Sequence, residues 1–411
     1  MVSSKCGSVL CLASMFFLCA AAALAFDNPC DPTYVQQKGM GITVLPTDGD
    51  DTANLRCAID YAVTLGPGVT VQLLDHTYKT EQLVLQGFRG TIRGAGMTKT
   101  VVRNSDLPMP IQNPITFPEY LPSLANPYPT LISVVGDDIV LADLSVHIVG
   151  PNPTAGWYWA GGGPYYFVVP ALAVVGSNTT LQARRIEIAG SDKCPFDPEG
   201  NLLADIEFWN FFSGTLPWPS SSTLVVEDSV FKSCGGIIGY DILNSKVVVT
   251  GSRFYTPWYG VAVSDMGNSS VEVSHNEFNG SSNPADAPVG VDVWAGNYGT
   301  GIRDSSILIR NNRFSGVYGV LLEANWVTPD PNDPTFYGAI DCSIVGNNVQ
   351  RVSGYGYWFQ PGTYGCTVVG QGKGTVQDDT GGAHTIVGVT PHTGGVGHAI
   401  SKMVRRGGPW R

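Results

Sequence analysis

Two stretches of this chain, opening at Gly260 and Gly290, have the same form. Residues 260–278 read GVAVSDMGNSSVEVSHNEF and residues 290–314 read GVDVWAGNYGTGIRDSSILIRNNRF. Each begins Gly-Val-x-Val, passes a polar turn, alternates apolar with polar residues and closes on Asn-x-Phe. The first strand recurs as GIIGYD from Gly236, GVLLEA from Gly319 and GYWFQP from Gly356. The second recurs as VVVTGSRF, ending at Phe254, and as SIVGNNVQ, with Gln350 in the Phe place. Ser252 and Asn276 are 24 residues apart; Asn276, Asn312 and Asn348 follow at steps of 36. A coil of about two dozen residues, lengthened by insertions, predicts a solenoid of stacked β coils.

The alternation says which side chains face in. Val261 and Val263 fall at every second place, the period of a half-buried strand, and Val291 and Val293 stack on them one coil later. Asn276, Asn312 and Asn348 are expected to form a structural column at one turn, because Asn tolerates left-handed backbone and its amide can bond to the copies on either side. Cys342 and Cys366 are 24 residues apart, one coil. Stacked strands about 4.8 Å apart bring such a pair within disulfide reach, so a rung-to-rung bridge is expected, with two packed thiols as the alternative. An open solenoid end needs a cover. ANLRCAIDYAVTLG supplies one: Leu55, Ile59, Ala62 and Val63 share a helical face, Asp or Thr can cap the start and Gly66 ends it, giving a helix at about 50–65.

Composition bounds the setting. Residues 1–25, with Lys5, an apolar run over 9–24 and Ala23-Leu24-Ala25, have the form of a secretory signal. No other segment is long and apolar enough for a membrane span. The expected organisation is thus a signal at 1–25, a β-helix domain at 26–395 and a Gly-rich basic tail at 396–411. The net charge of −11 argues against a nucleic-acid or anionic-membrane partner and disfavours a bare groove for a polyanionic sugar. Of nine cysteines, six follow the signal (Cys30, Cys57, Cys194, Cys234, Cys342 and Cys366), enough for three disulfides in an exported chain. Sequons stand at Asn178, Asn268 and Asn279.

The cap-helix stretch DDTANLRCAIDYA, the coil RGTIRGAG with TKTVVRN after it, and the GVxV…VxVxxNxF coils together resemble the right-handed parallel β-helix, or pectin-lyase-like, superfamily. The resemblance implies an all-β solenoid with an N-terminal capping α-helix. It also implies an exported protein acting on, or binding, polysaccharide or cell-surface glycan, since the superfamily holds pectate and pectin lyases, polygalacturonases, other hydrolases, epimerases, tailspikes and adhesins. The Asn-Thr-Asp, Asp-Asp, Gly-His-Gly and Arg-Ile-Lys series of polygalacturonases is absent, as are the arginine and Trp-Asp-His motifs of pectate lyases.

Function on such a fold belongs to outward strand positions and to inserted loops. The third places from each Gly are Ile238, Ala262, Asp292, Leu321 and Trp358; the fifth are Tyr240, Ser264, Trp294, Glu323 and Gln360. Aromatic rings stack on sugar C–H faces and carboxylates accept hydroxyl hydrogens, so Tyr240, Trp294, Trp326 and Trp358, together with Arg303, are candidate substrate-binding residues. Asp292 and Glu323 fall on adjacent coils, two residues apart along the strand. Their diagonal of roughly 8 Å suits an acid/base pair for glycosidic cleavage. The alternatives are two solvated carboxylates, or one of them paired with Arg303. Asp241 and Asp265, at the strand ends, are either calcium ligands with Asp292 or turn formers. Insertions at 105–129, 151–167, 195–219 and 324–339 bring many aromatics, which either wall a cleft or pack as extra core. The sequence thus supports a hydrolase or lyase acting in a groove, with a non-catalytic carbohydrate-binding or structural surface protein as the alternative.

Overall fold

The computed structural model describes residues 28–104, 131–148, 171–190, 206–209, 221–280, 288–295, 302–324, 340–350 and 355–391, and two short strands within 157–166. Positions 137, 176, 234, 257–258, 317 and 371–374 are left aside. The expected signal at 1–25, the tail at 396–411, Cys194 and Cys234 lie outside the described residues.

The chain winds as a right-handed parallel β-helix capped by one helix, as the resemblance implied. One coil shows the plan. Strand Ile237–Leu243 lies in a 12-strand sheet; Lys246–Thr250 and Arg253–Phe254 then lie in a 20-strand sheet that bends between them. The next coil repeats this as Tyr259–Gly267, Ser270–Ser274 and Glu277–Asn279, each pairing in parallel with its predecessor. Strand Thr385–Val387 is the last rung of the larger sheet among the described residues.

Each turn of the coil solves a local problem. At the first, Asn178, Ser221, Asn244, Asn268 and Asp304 adopt positive φ, and each is followed by a hydroxyl residue. Those hydroxyls form a ladder: the amides of Thr179, Ser222, Ser245 and Ser269 donate to the side-chain oxygens of Ser222, Ser245, Ser269 and Ser305 at 3.0–3.2 Å. At the second turn Asp228, Gly251, His275, Asn311 and Gly346 adopt positive φ. The residues after them carry a second ladder in which the Ser252, Asn276 and Asn312 amides donate to the Oδ1 atoms of Asn276, Asn312 and Asn347, all at 2.9 Å. The asparagine Nδ2 groups donate in turn to the carbonyls of Val249, Val273 and Ile309. Buried turn amides thereby find partners without water.

This ladder corrects the expected column: its last member is Asn347, and Asn348 is exposed, paired in register with Arg313. The ladder residue is whichever follows the positive-φ residue, and Gly346 holds that place here. The Phe column shifts with it. Phe231, Phe254, Phe278 and Phe314 stack with ring centroids 4.6–4.9 Å apart, and Val349, not Gln350, continues the column.

The repeated Gly is explained by that stack. A Cβ at Gly290 would stand 2.4 Å from the Phe314 ring and 2.8 Å from the Gly319 carbonyl; at Gly260 it would meet Phe278 at 2.4 Å. No larger residue fits while the ring stays in place.

The cap helix spans Thr52–Leu65 and buries Leu55, Ala58, Ile59, Tyr61 and Ala62 over the first coils. Asp51 stands at its N-cap without capping it. Its fully buried carboxylate instead accepts from the amides of Thr47 at 2.7 Å and Lys79 at 3.0 Å, fastening the helix start to a strand. Cys30–Cys57 ties the preceding segment to the helix, and Cys342–Cys366 forms the expected rung-to-rung bridge with Cα atoms 4.5 Å apart. Among the described residues no helix is long and apolar enough to cross a membrane.

Candidate functional site

The 12-strand sheet places the candidate carboxylates. In strand Val289–Ala295, Val291 and Val293 point into the core, so alternation sends Asp292 and Trp294 to the other side. Ala262, Asp292, Leu321 and Trp358 pair in register across successive coils, as do Ser264, Trp294 and Glu323. Asp292 and Glu323 therefore sit on the diagonal of neighbouring strands, two places apart.

That side was expected to be an open face offered to a ligand, and here the structure differs. Asp292 is 7% exposed and Glu323 2%; Ile238, Ala262, Ser264, Leu321 and Trp358 are also buried. Leu321, Tyr355 and Trp358 form a second apolar cluster outside the main core, with Val289 and Tyr318 packed against it. Strands that read as near-continuous apolar runs are those buried on both faces, and GVLLEA and GYWFQP are of that kind.

Burial sets the electrostatics. Desolvation pushes the Asp292 carboxyl well above the usual aspartate range, and the neighbouring Glu323 charge pushes it further. The Trp294 side chain and the Val293 amide oppose that rise, but Oδ1 of Asp292 has no well-formed hydrogen bond. Desolvation raises Glu323 to about 7, opposed by the Gln360 side chain, whose Nε2 donates to Oε1 at 3.0 Å. The two titrate as a coupled pair, in which the first charge formed holds the proton on the other. One acid and one base at near-neutral pH is the division of labour that glycosidic cleavage needs.

The other candidates separate. Trp294 is half-buried beside Glu323 in register. Trp358 is 6% exposed, its indole N–H donating to Asp379 Oδ2 at 2.9 Å, so it is packed as core rather than offered as an open stacking surface. Tyr240 lies in strand Ile237–Leu243 and Arg303 in strand Ile302–Arg303, but their side chains, like that of Asp241 and all of Trp326, lie outside the described residues. Asp265 is buried with φ 45° and accepts from Ser264 Oγ at 3.0 Å, as a turn former would. Among the described residues no three His, Cys, Asp or Glu side chains come together to hold a metal. Gln360 and Asp379 are the partners that sequence reasoning missed. Gln360 was visible in the fifth-place column, one coil beyond Glu323; Asp379 lies outside the repeat.

A shallow polar depression of about 490 Å³ lies elsewhere, along the first turn column, lined by Asn244, Ser245, Lys246, Asn268, Ser269 and their neighbours. Many of its hydroxyls and amides already serve the ladder. With those groups committed to the turn, the buried carboxylate pair is the stronger chemical candidate.

No family model matches this chain, and no curated protein does. Solved structures do resemble it. The A-module of the mannuronan C-5 epimerase AlgE6 from Azotobacter vinelandii is 15% identical, with a TM-score of 0.40, 84% of this chain and 96% of that one covered. The surface protein and adhesin PfbA of Streptococcus pneumoniae is 12% identical, with a TM-score of 0.48 and coverage of 85% and 95%. An alginate lyase from Paenibacillus is 13% identical, with a TM-score of 0.38 and coverage of 81% and 94%.

Proposed function

We propose that this protein is an exported, carbohydrate-active β-helix enzyme that cleaves a polysaccharide at the Asp292–Glu323 pair. The observation that carries the reading is the pair itself: two carboxyls on one diagonal, both buried, both held far above the ordinary carboxylate range, and supported unequally by Gln360. Burying two like-charged groups side by side opposes folding, and a chain keeps such an arrangement for function more readily than for structure. Asp292 is the proton donor to the glycosidic oxygen and Glu323 the base. The two disulfides among the described residues support an oxidising, extracytoplasmic setting.

The second reading is a non-catalytic glycan-binding or structural surface protein. The covering of the face favours it, since buried carboxyls reach substrate only if what lies over them moves aside. Product release from a panel of polysaccharides, with wild type and Asp292→Asn/Glu323→Gln compared, decides between them. Cleavage lost in the double variant supports the enzyme. Binding without cleavage by folded wild type supports the alternative.

A further inference from the structure

The charged residues are divided between the two sheets. The described ion pairs, apart from Arg56–Glu81 at the cap, all join side chains of the 20-strand sheet: Arg93 and Arg185 with Asp143, Arg184 with Glu227, Lys232 with Glu187, Arg310 with Glu272, Arg253 and Arg313 with Glu277. The strands of the 12-strand sheet carry the acids Glu207, Asp241, Asp265, Asp292, Glu323 and Asp378, and one Lys or Arg, Arg303. The sequence extends the division. The insertions at 105–129, 151–167, 195–219 and 324–339 contain no Lys or Arg, yet include Asp106, Glu119, Asp197, Glu199, Asp330 and Asp333. Each of them joins a strand of the 12-strand sheet along the chain.

We infer that the glycan taken by this face is uncharged, a chain of neutral sugars, and that it is cut by hydrolysis rather than by elimination. The inference rests on the enzymatic reading above and adds the substrate class to it. A uronate or sulfate brought to Asp292 and Glu323 would be one more negative charge in a site where burial weakens screening and Asp292 Oδ1 already lacks a well-formed partner. Nothing in the strands of this sheet except Arg303 could offset it. Elimination also needs a cation or convergent hydrogen-bond donors at the uronate carboxyl. It removes the proton α to the uronate carboxyl, and the negative charge that builds on that carboxyl must be neutralised. A neutral sugar makes neither demand. Its hydroxyls donate to carboxylates, and its C–H faces pack on aromatics such as Trp294.

The hydrolytic step balances with water alone. Asp292 gives its proton to the glycosidic oxygen, the C1–O bond breaks with its electron pair going to that oxygen, and a water oxygen bonds to C1. Glu323 takes the proton that water loses. The products are a new reducing end and a free hydroxyl, and proton exchange with solvent restores the pair.

The test uses the mature protein with its disulfides intact. Neutral glycans (α- and β-glucans, mannan, galactan, arabinan and unsubstituted xylan) are compared with alginate, polygalacturonate and a sulfated galactan, each with added calcium and with chelator. Affinity electrophoresis at low and high NaCl reads binding, reducing ends read hydrolysis, and ultraviolet absorbance reads unsaturated uronates. The expected result is binding and hydrolysis of at least one neutral glycan, with retardation unchanged by salt, and at least 10-fold weaker binding of every charged one. Preferred binding or cleavage of a charged glycan, with or without calcium, overturns the inference and leaves the carbohydrate-active reading standing. Salt-insensitive binding of a neutral glycan without cleavage upholds the substrate class and sinks catalysis. No binding of either class by folded protein overturns both.

Discussion

Replacing Glu323 by Gln should make this protein more stable at high pH and leave it nearly unchanged at low pH. The magnitude follows from the site. Glu323 is 2% exposed, and its pKa rises from 4.5 unfolded to about 7 folded. At 1.36 kcal/mol per pH unit, keeping the ionised form buried costs about 3 kcal/mol. The folded form binds protons more tightly, so stability is full below pH 4.5, falls as pH rises to about 7, and stays lowered above it. Gln carries no charge and keeps an oxygen to accept from Gln360. Removing the Glu323 charge also relieves Asp292, whose carboxyl that charge pushes up, and this acts in the same direction. The variant should therefore gain roughly 2–3 kcal/mol over wild type at pH 8 and close to nothing at pH 4.5. Urea titrations at pH 4.5, 6 and 8, followed by circular dichroism and Trp fluorescence, read the difference as a shifted midpoint at constant slope. Groups that do not interact with Glu323 cancel in the comparison. An E323Q protein no more stable than wild type at pH 8, or a gap that does not narrow toward pH 4.5, would refute the burial argument and with it the pKa assignment.

Asp292→Asn should lower turnover on the cleaved glycan at least about 100-fold with the fold intact. The wild-type rate should rise with pH through about 7 as Glu323 ionises, and a rate flat across that range would separate catalysis from this pair. Asn312→Ala strips partners from the Asn276 amide and Nδ2, the Val273 carbonyl and Asn347 Oδ1, and should cost about 3–5 kcal/mol in urea unfolding. Asn348→Ala should stay within about 0.5 kcal/mol of wild type, and equal losses at the two positions would contradict the ladder register. Gly290→Ala, which drives a Cβ to 2.4 Å from the Phe314 ring, should cost about 1–3 kcal/mol by the same measurement, and a neutral result would mean that the Phe column yields.

How far the sequence could be read depended on whether a feature repeats. Coils, inward valines, cap helix and the Cys342–Cys366 bridge all follow from periodicity or from the chain's need to close its open end, and each stands where spacing put it. The Asn column slipped by one residue at its last rung because SIVGNNVQ offers two adjacent asparagines. Spacing alone does not say which follows the positive-φ residue; Gly346 does. The Asp292–Glu323 diagonal was legible because it is a register statement, and register in a solenoid is fixed by the stack. The covering of their face was not. Burial on the outer side depends on elements that obey no period, such as Tyr355, Tyr318 and the link from Trp358 to Asp379.

The same contrast explains how the chain tolerates its site. Along the core and the second turn, the rungs of Phe254, Phe278 and Phe314 repeat a stacked Phe, a fitted Gly and a buried amide ladder, each worth about 1 kcal/mol or more. In a solenoid these contributions add from neighbour to neighbour, so stability is spread over the length of the stack rather than held in one place. A local cost of about 3 kcal/mol at Glu323 is then absorbed by the preceding coils, which keep their ladder and ring contacts. The 20-strand sheet takes up nearly all the described ion pairs, which leaves the 12-strand sheet free to hold uncompensated carboxyls at raised pKa. A variant that moved a cation onto that sheet, Ala262→Lys beside Asp292, would pull the Asp292 pKa down by pairing with it. It should abolish the proton donor, with circular dichroism and urea unfolding checking that the buried Lys is accommodated. If such a variant cleaved glycan at the wild-type rate, the acid would have to be sought elsewhere in the molecule.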